Sequence, residues 1–188
     1  MKKIVLIDAS QRERANTEII IEKISQHLTD DEVHVFHLKN MRCQYCTACD
    51  LCQKTEELLC SRKDDITKLL PYIDRCDAIL IASPVYDHQM SSLAKLFIER
   101  FYAFYNPNAK NNSSVSHRNK KAAFIMCCWT GDKEIYKKYA EWTLDGFWQI
   151  DATDTLAEVF NGLNEREEIL AHPDYMLRVQ EIADWLNV

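Results

Sequence analysis

Apolar, largely β-branched runs occupy positions 3–8, 33–38, 78–83, 122–128 and 156–160, and longer stretches of mixed polarity separate them. The first, third and fourth runs are nearly unbroken, as expected of parallel strands buried on both faces. Between the runs the period changes to that of a helix. Ile20, Ile24 and Leu28 follow Asn16-Thr17, and Leu93, Leu96, Phe97, Arg100, Phe101 and Phe104 follow Ser92. Ile135, Tyr139 and Trp142 follow Asp132, a suitable N-cap. A last helix starts near Pro173 and carries Tyr175, Val179, Ile182 and Leu186 on one face. Strand and helix alternate without an internal repeat, which predicts an α/β fold with a doubly wound parallel sheet and helices on both faces. One domain over 1–188 is expected, with a cysteine-rich insertion at about 41–64.

A doubly wound sheet binds ligands outside the carboxyl ends of its strands. Segments 8–17, 41–60, 83–90 and 127–132 directly follow strands and should converge on that edge. The polar loop 106–119 connects a helix to a strand, so it should lie at the opposite edge as surface connection or subunit contact. Segment 8–17 leads into a helix whose free N–H groups favour an anion. Ser10, Asn16 and Thr17 can hydrogen-bond a phosphate there and Arg12 can add charge, although an N-cap with solvated arginines explains the same residues. In segment 83–90, Pro84 lacks a donor and should end the strand ladder, leaving an extended loop with Val85 and Tyr86 suited to a flat heteroaromatic ring.

Composition narrows the chemistry. Only 3 of 188 residues are Gly, too few for G-x-G-x-x-G or a P-loop, so any phosphate must be held by hydroxyls and amides. The net charge of −6 argues against a nucleic-acid binder, which needs a basic face. The apolar run of positions 4–7 stops at Asp8, too short for a signal peptide or a membrane span, so a cytoplasmic location is expected. Reduced thiols follow from that compartment.

Five of the 8 cysteines form the run Cys43-x2-Cys46-x2-Cys49-x2-Cys52-x7-Cys60. Successive C-x2-C steps suit an iron–sulfur cluster better than zinc, whose paired knuckles usually stand farther apart. Free thiols without a metal are the third reading. Cys76, Cys127 and Cys128 lie among apolar residues and read as core. Tyr136, Tyr139, Trp142, Phe147 and Trp148 read as core and subunit contact, and His88 as a solvated loop histidine.

Ser10-x-Arg12 with Asn16-Thr17, then Ser83-Pro84-Val85-Tyr86, then Met90-Ser91-Ser92-Leu93-Ala94-Lys95-Leu96-Phe97-Ile98-Glu99-Arg100, resembles the NAD(P)H-dependent FMN reductase and iron–sulfur flavoprotein group of the flavodoxin-like superfamily. The resemblance covers roughly the first 130 residues. It implies a five-stranded parallel sheet of order 2-1-3-4-5. It implies FMN, with its phosphate at Ser10, Arg12, Asn16 and Thr17 and its ring against Pro84, Val85, Tyr86 and Asp87, bordered by Trp129, Thr130 and Gly131. NAD(P)H is the implied co-substrate, a small-molecule electron acceptor or a redox protein the implied partner, and a homodimer or homotetramer the implied assembly.

The group's pattern of three cysteines and a later fourth before an acidic pair matches Cys46, Cys49, Cys52 and Cys60, followed by Asp64-Asp65, as ligands of a [4Fe–4S] cluster. A second register starts at Cys43. Family glycines are replaced by Ala9 and Ala15. The implied activity is flavin-dependent oxidoreduction, and its rivals are an electron carrier without turnover and a zinc-stapled interaction module.

Overall fold

The protein was described from a computed structural model, which covers residues 1–54, 58–109 and 112–188. Five parallel strands make the sheet: β1 (Lys3–Asp8), β2 (Glu32–His37), β3 (Ala78–Tyr86), β5 (Lys120–Cys127) and β6 (Ala152–Phe160), and the two-residue β4 (Gln89–Met90) pairs antiparallel with the end of β3. The order β2-β1-β3-β5-β6 is the flavodoxin-like order, with the short β4 as an addition.

The unbroken apolar runs have a direct physical cause. Alternate side chains of the inner strands enter opposite cores. Ile4, Leu6, Leu80 and Ile125 pack under α1 (Asn16–His27) and α5 (Pro173–Asn187), whereas Val5, Ile7, Ile79 and Phe124 pack under α2 (Asp65–Arg75), α3 (Ser92–Glu99) and α4 (Lys133–Asp145). Both faces exclude water, so neither tolerates a polar alternate.

Four expectations change. The strand limits shift, most at β6, which begins at Ala152 rather than 156. Pro84 does not end the ladder: β3 continues to Tyr86, and Pro84 stays in register with Cys127. Proline removes only a donor, and its carbonyl still accepts, here from the Ser83 hydroxyl at 3.0 Å. A helix absent from the sequence reading, α2, fills the gap between β2 and β3. Pro71 sits inside it, yet Ile66, Leu69, Leu70 and Ile73 form its buried stripe and Asp64 caps it by accepting from Thr67 N–H at 3.0 Å. The apolar period that follows Ser92 is helical only to Glu99 and tightens to a 3-10 stretch over Arg100–Phe104.

The polar loop before β5 lies where topology placed it. Ser116 N–H donates to Asp74 at 2.6 Å and His117 meets Asp77 at 2.9 Å, both beside the start of β3. That leaves the other edge of the sheet open.

Candidate flavin site and cysteine loop

The ends of β1 and β3 are laced together. Ala9 N–H donates to Ala82 O at 2.9 Å, the Ser91 hydroxyl donates to Ala9 O at 2.6 Å, and Ser91 N–H donates to the Ser83 hydroxyl at 2.9 Å. Ala9 and Ala15 both keep ordinary backbone angles; the left-handed residue of this loop is Arg14, at φ 52°. The two alanines therefore strain nothing at these positions.

A cleft of about 190 Å³ opens at this edge. Ser10, Arg12, Asn16 and Thr17 line one side and Pro84, Val85 and Tyr86 the other, so the structure brings together seven of the ten residues expected to hold the cofactor. Asp87, Thr130 and Gly131 do not line it. Asp87 and His88, at φ 48° and 63°, form the two-residue turn between β3 and β4, where both central positions need positive φ. Gly131, at φ 114°, lies against Tyr136, and a Cβ there would come within 2.6 Å of the ring. Asp87 and Thr130 each directly follow a lining residue, Tyr86 and Trp129, in the chain. His88 is an exposed loop histidine, as expected, and its Nδ1 lies 3.1 Å from the Tyr136 hydroxyl.

Trp129, expected beside the ring, does line the cleft, and Cys127, read as core, lines it as well; sequence reasoning missed three further lining residues, Leu163, Asn164 and Glu165 after β6. The rule that singled out the other strand ends applies equally to the end of β6 and would have found the last three. Trp129 is 66% exposed, an aromatic face open beside Tyr86.

The polar groups of the loop divide between holding the loop and facing the cleft. Asp8 is fully buried; its Oδ1 accepts from Ser10 N–H at 3.2 Å and from the Thr17 hydroxyl at 2.8 Å, and its Oδ2 lies 3.2 Å from His37 Nδ1. Asn16 is stapled to the loop after β6, donating to Glu165 O at 2.9 Å and accepting from Ile169 N–H at 3.0 Å. Thr17 and Asn16 thus hold the loop's shape: the Thr17 hydroxyl proton and one of the two Asn16 amide protons are already used. Arg14 pairs with Glu167, and Arg12 donates to Asn164 O at 3.2 Å. Ala15, the N-cap of α1, offers no side-chain acceptor, so the first N–H groups of the helix remain for an anion. The Ser10 hydroxyl and Arg12 stand beside them.

The bond to Asp8 raises the pKa of His37, against burial. Burial pushes Glu18 up, but the Lys39 ammonium at 2.9 Å overrides it and holds the carboxyl low.

The cysteine loop follows β2 and folds against the far end of α3 rather than onto the cleft. The two share no lining residue. Cys46, Cys49, Cys52 and Cys60 line one hollow of about 20 Å³ with Arg62 and Tyr102, and Cys43 is outside it. Cys43 packs on the core, where burial and the nearby Asp64 and Asp65 push its thiol up to about 11. Cys49 is exposed, and the Ser61 hydroxyl at 3.0 Å lowers its pKa. Burial raises Cys52. Left-handed Ala48 and Asp50 turn the chain between successive cysteines. All eight cysteines are free thiols, and among the described residues no three His, Cys, Asp or Glu side chains are placed to share one metal ion.

A buried ion pair anchors the loop. Arg100 donates to Asp64 Oδ2 at 2.8 Å, to Gln44 O at 3.0 Å, to the Thr67 hydroxyl at 2.8 Å and to Cys60 Sγ at 3.2 Å. Asp64 also accepts from Gln44 N–H at 2.9 Å. Burial opposes the Asp64 charge, yet the guanidinium and these donors hold its pKa below the usual carboxylate range. Cys76 and Cys127 are buried with raised pKa values, Cys76 to about 12, as core thiols should be, and Cys128 is buried and raised as well.

Strand order and a cleft at the strand ends define a flavodoxin-like α/β protein. The solved structures agree. An NAD(P)H:quinone oxidoreductase from Methanothermobacter marburgensis superposes with TM-score 0.72 at 13% identity, over 100% of this chain and 98% of that one. RosB with bound 8-demethyl-8-formylriboflavin-5'-phosphate gives 0.68 at 16% identity, over 99% and 76%. At such identity these matches speak for the fold alone. The sequence goes further: residues 2–134 match the NADPH-dependent FMN reductase family, and the chain belongs to it. An iron–sulfur flavoprotein of Archaeoglobus fulgidus is 34% identical over 100 residues, 52% of this chain and 48% of the relative. The chain spans about half the length of the curated relatives it matches.

Proposed function

We propose that the protein is an FMN-dependent oxidoreductase that draws electrons from NADPH or NADH and passes them to a small acceptor such as a quinone or a flavin, or to a redox protein. The observation that carries this reading is the cleft's two-sided build. One wall offers an uncapped helix N-terminus, the Ser10 hydroxyl and Arg12 to a phosphate; the other offers the Pro84–Tyr86 main chain, with Tyr86 and Trp129 flanking, to a flat ring. That set of donors and faces fits FMN. When bound, FMN supplies the two-electron chemistry, and the chain's own residues bind and orient. Asn16, Thr17 and Asp8 hold the loop. Trp142 and Trp148, 70% and 41% exposed beside Met90 and Tyr139, support a homo-oligomer.

The test is anaerobic purification with flavin quantified, then NADPH and NADH oxidation with a quinone acceptor. Stoichiometric FMN and rapid turnover are expected. Bound FMN without turnover would leave an electron carrier, and absence of flavin binding would end the reading.

A second element of the proposal concerns the thiols: Cys46, Cys49, Cys52 and Cys60 are the ligand set of an iron–sulfur cluster. Their common hollow, with Cys43 outside it, supports this register, and four thiolate donors suit such a cluster in kind and number. The hollow itself holds about one water, so the loop must open around the cluster. Iron and sulfide in equal amounts, retained in Cys43→Ser and lost in Cys60→Ser, are expected; zinc alone, or no metal after anaerobic purification, overturns it.

A further inference from the structure

A buried carboxylate is an unexpected neighbour for a phosphate site. Asp8 lies fully buried directly beneath Ser10 and Thr17, two residues of the cleft wall, and takes a hydrogen bond from each. A phosphate monoester in the cleft would place its own charge close to this anion, and in a poorly solvated site like charges repel strongly. The structure supplies one group positioned to relieve that repulsion. We propose that His37 is the counter-ion of the phosphate loop: its imidazolium, held on Asp8, neutralises the buried carboxylate and so sets the affinity of the cleft for a phosphate monoester. The inference rests on the reading of the cleft as the FMN phosphate site and adds to it a positioning residue and a pH dependence.

The other charges nearby are already matched. Lys39, after β2, meets Glu18 of α1 at 2.9 Å and Glu13 at 3.0 Å, and donates to Arg12 O at 3.3 Å, so two carboxylates oppose its one charge. Cys127 of β5, whose pKa Asp8 helps raise, stays a neutral thiol because it is buried. Arg12 holds Asn164 O on the outer side of the cleft. His37, at the end of β2, is the titratable cation in contact with Asp8, and its exposure of 27% gives its proton access to solvent. Asp8 and Glu18 raise its pKa, while burial and Lys39 oppose them.

The proton balance follows. Where His37 is neutral in the free protein, binding the phosphate dianion draws one proton from solvent onto the imidazole, giving imidazolium, Asp8 carboxylate and bound dianion. Phosphate affinity must then fall as pH rises through the His37 titration. A phosphate monoester's own second ionisation, near pH 6, acts in the opposite sense and is complete before the informative range.

The experiment uses the full chain stripped of flavin, with FMN and riboflavin as paired probes, since riboflavin lacks the phosphate. Affinities are measured by flavin fluorescence between about pH 7 and pH 8.5, above the phosphate titration. Calorimetry in buffers of different ionisation enthalpy counts the protons taken up by the wild-type protein, independently of any variant. FMN affinity is expected to fall roughly tenfold over this range, with proton uptake, while riboflavin affinity stays level. His37→Gln should bind FMN weakly at every pH, and Asp8→Asn tightly at every pH, both without the slope. A level FMN profile with no proton uptake, or a slope that survives in His37→Gln, overturns the inference and leaves the phosphate site standing. FMN binding no tighter than riboflavin removes the phosphate site and the inference together.

Discussion

The cleft at the end of β1 and the thiol hollow beside α3 stand at two ends of one helix and are held in opposite ways. At the N-cap of α3, Ser91 is tied to Ala9 and to Ser83, so the cleft inherits its geometry from strands that pair on both sides. At the C-cap, about 12 Å along the axis for eight residues, Arg100 reaches into a loop that pairs with no strand. The cleft's polar groups are shared among many partners, whereas the cysteine loop is centred on one buried ion pair, with bonds from Gln53 to Tyr102 O, from Arg62 to Tyr45 O and from Arg42 N–H to Asp65 around it. A sheet edge distributes its constraints, and an insertion concentrates them.

Arg100 is therefore where the contrast breaks most sharply. Arg100→Met leaves Asp64 buried without its cation and should cost about 3–5 kcal/mol of stability, read from urea unfolding. The double variant Arg100→Met with Asp64→Asn should cost clearly less than the sum of the single changes, since neither charge is then stranded. A loss in Arg100→Met within the error of the measurement would mean that the pair does not organise the loop.

Thiol chemistry sharpens the same contrast within the loop. In metal-free protein, Cys49 should alkylate first and Cys43 far later, because a thiol pushed up to about 11 has on the order of a hundredfold less thiolate than an ordinary one. Peptide mapping by mass spectrometry after timed iodoacetamide exposure gives the order. Equal rates at Cys43 and Cys49 would remove the basis for leaving Cys43 out of the ligand set.

Within the cleft the expected effects are smaller. Thr17→Val strips the 2.8 Å hydroxyl donor from buried Asp8 and should cost about 1–3 kcal/mol, while Thr17→Ser, which keeps the hydroxyl, should cost much less. Equal losses in the two variants would assign the cost to the methyl group's packing and not to the carboxylate.

Much of this was legible in the sequence, and for stated reasons. The inner strands announce themselves because both faces are buried, and the strand-end rule then gathers Ser10, Arg12 and the Pro84–Tyr86 segment at one edge. What escaped depends on partners far away in the chain. Nothing local tells that Asn16 also ties the loop after β6 and that Thr17 also bonds buried Asp8, so their part in holding the loop could not be read from the sequence. Pro71 hid α2, although the stripe of Ile66, Leu69, Leu70 and Ile73 and the cap at Asp64 were present. Spacing alone could not choose between the two cysteine registers, because which four thiols line one hollow, with Cys43 outside it, is a tertiary property.

The two regions should also lose stability in opposite directions of pH, and this is the finest test of the contrast. Asp64 has a depressed pKa in the folded protein, so its contribution to stability is present above its unfolded value, about 3.9, and is lost as pH falls through the folded value. His37 has a raised pKa, so its contribution is fully present below its unfolded value, about 6.5, and is lost as pH rises through the folded value. Urea unfolding across pH should thus show an acid limb to which Asp64 contributes beside Glu18, Glu158 and Glu167, and a limb of opposite sign, on the order of 1 kcal/mol, to which His37 contributes. His37→Gln should reduce the second limb and leave the acid one; Asp64→Asn should reduce the acid limb in part and leave the other. If either variant flattened both limbs, the two ends of α3 would be one electrostatic unit, and the separation drawn between a distributed site and a concentrated one would fail.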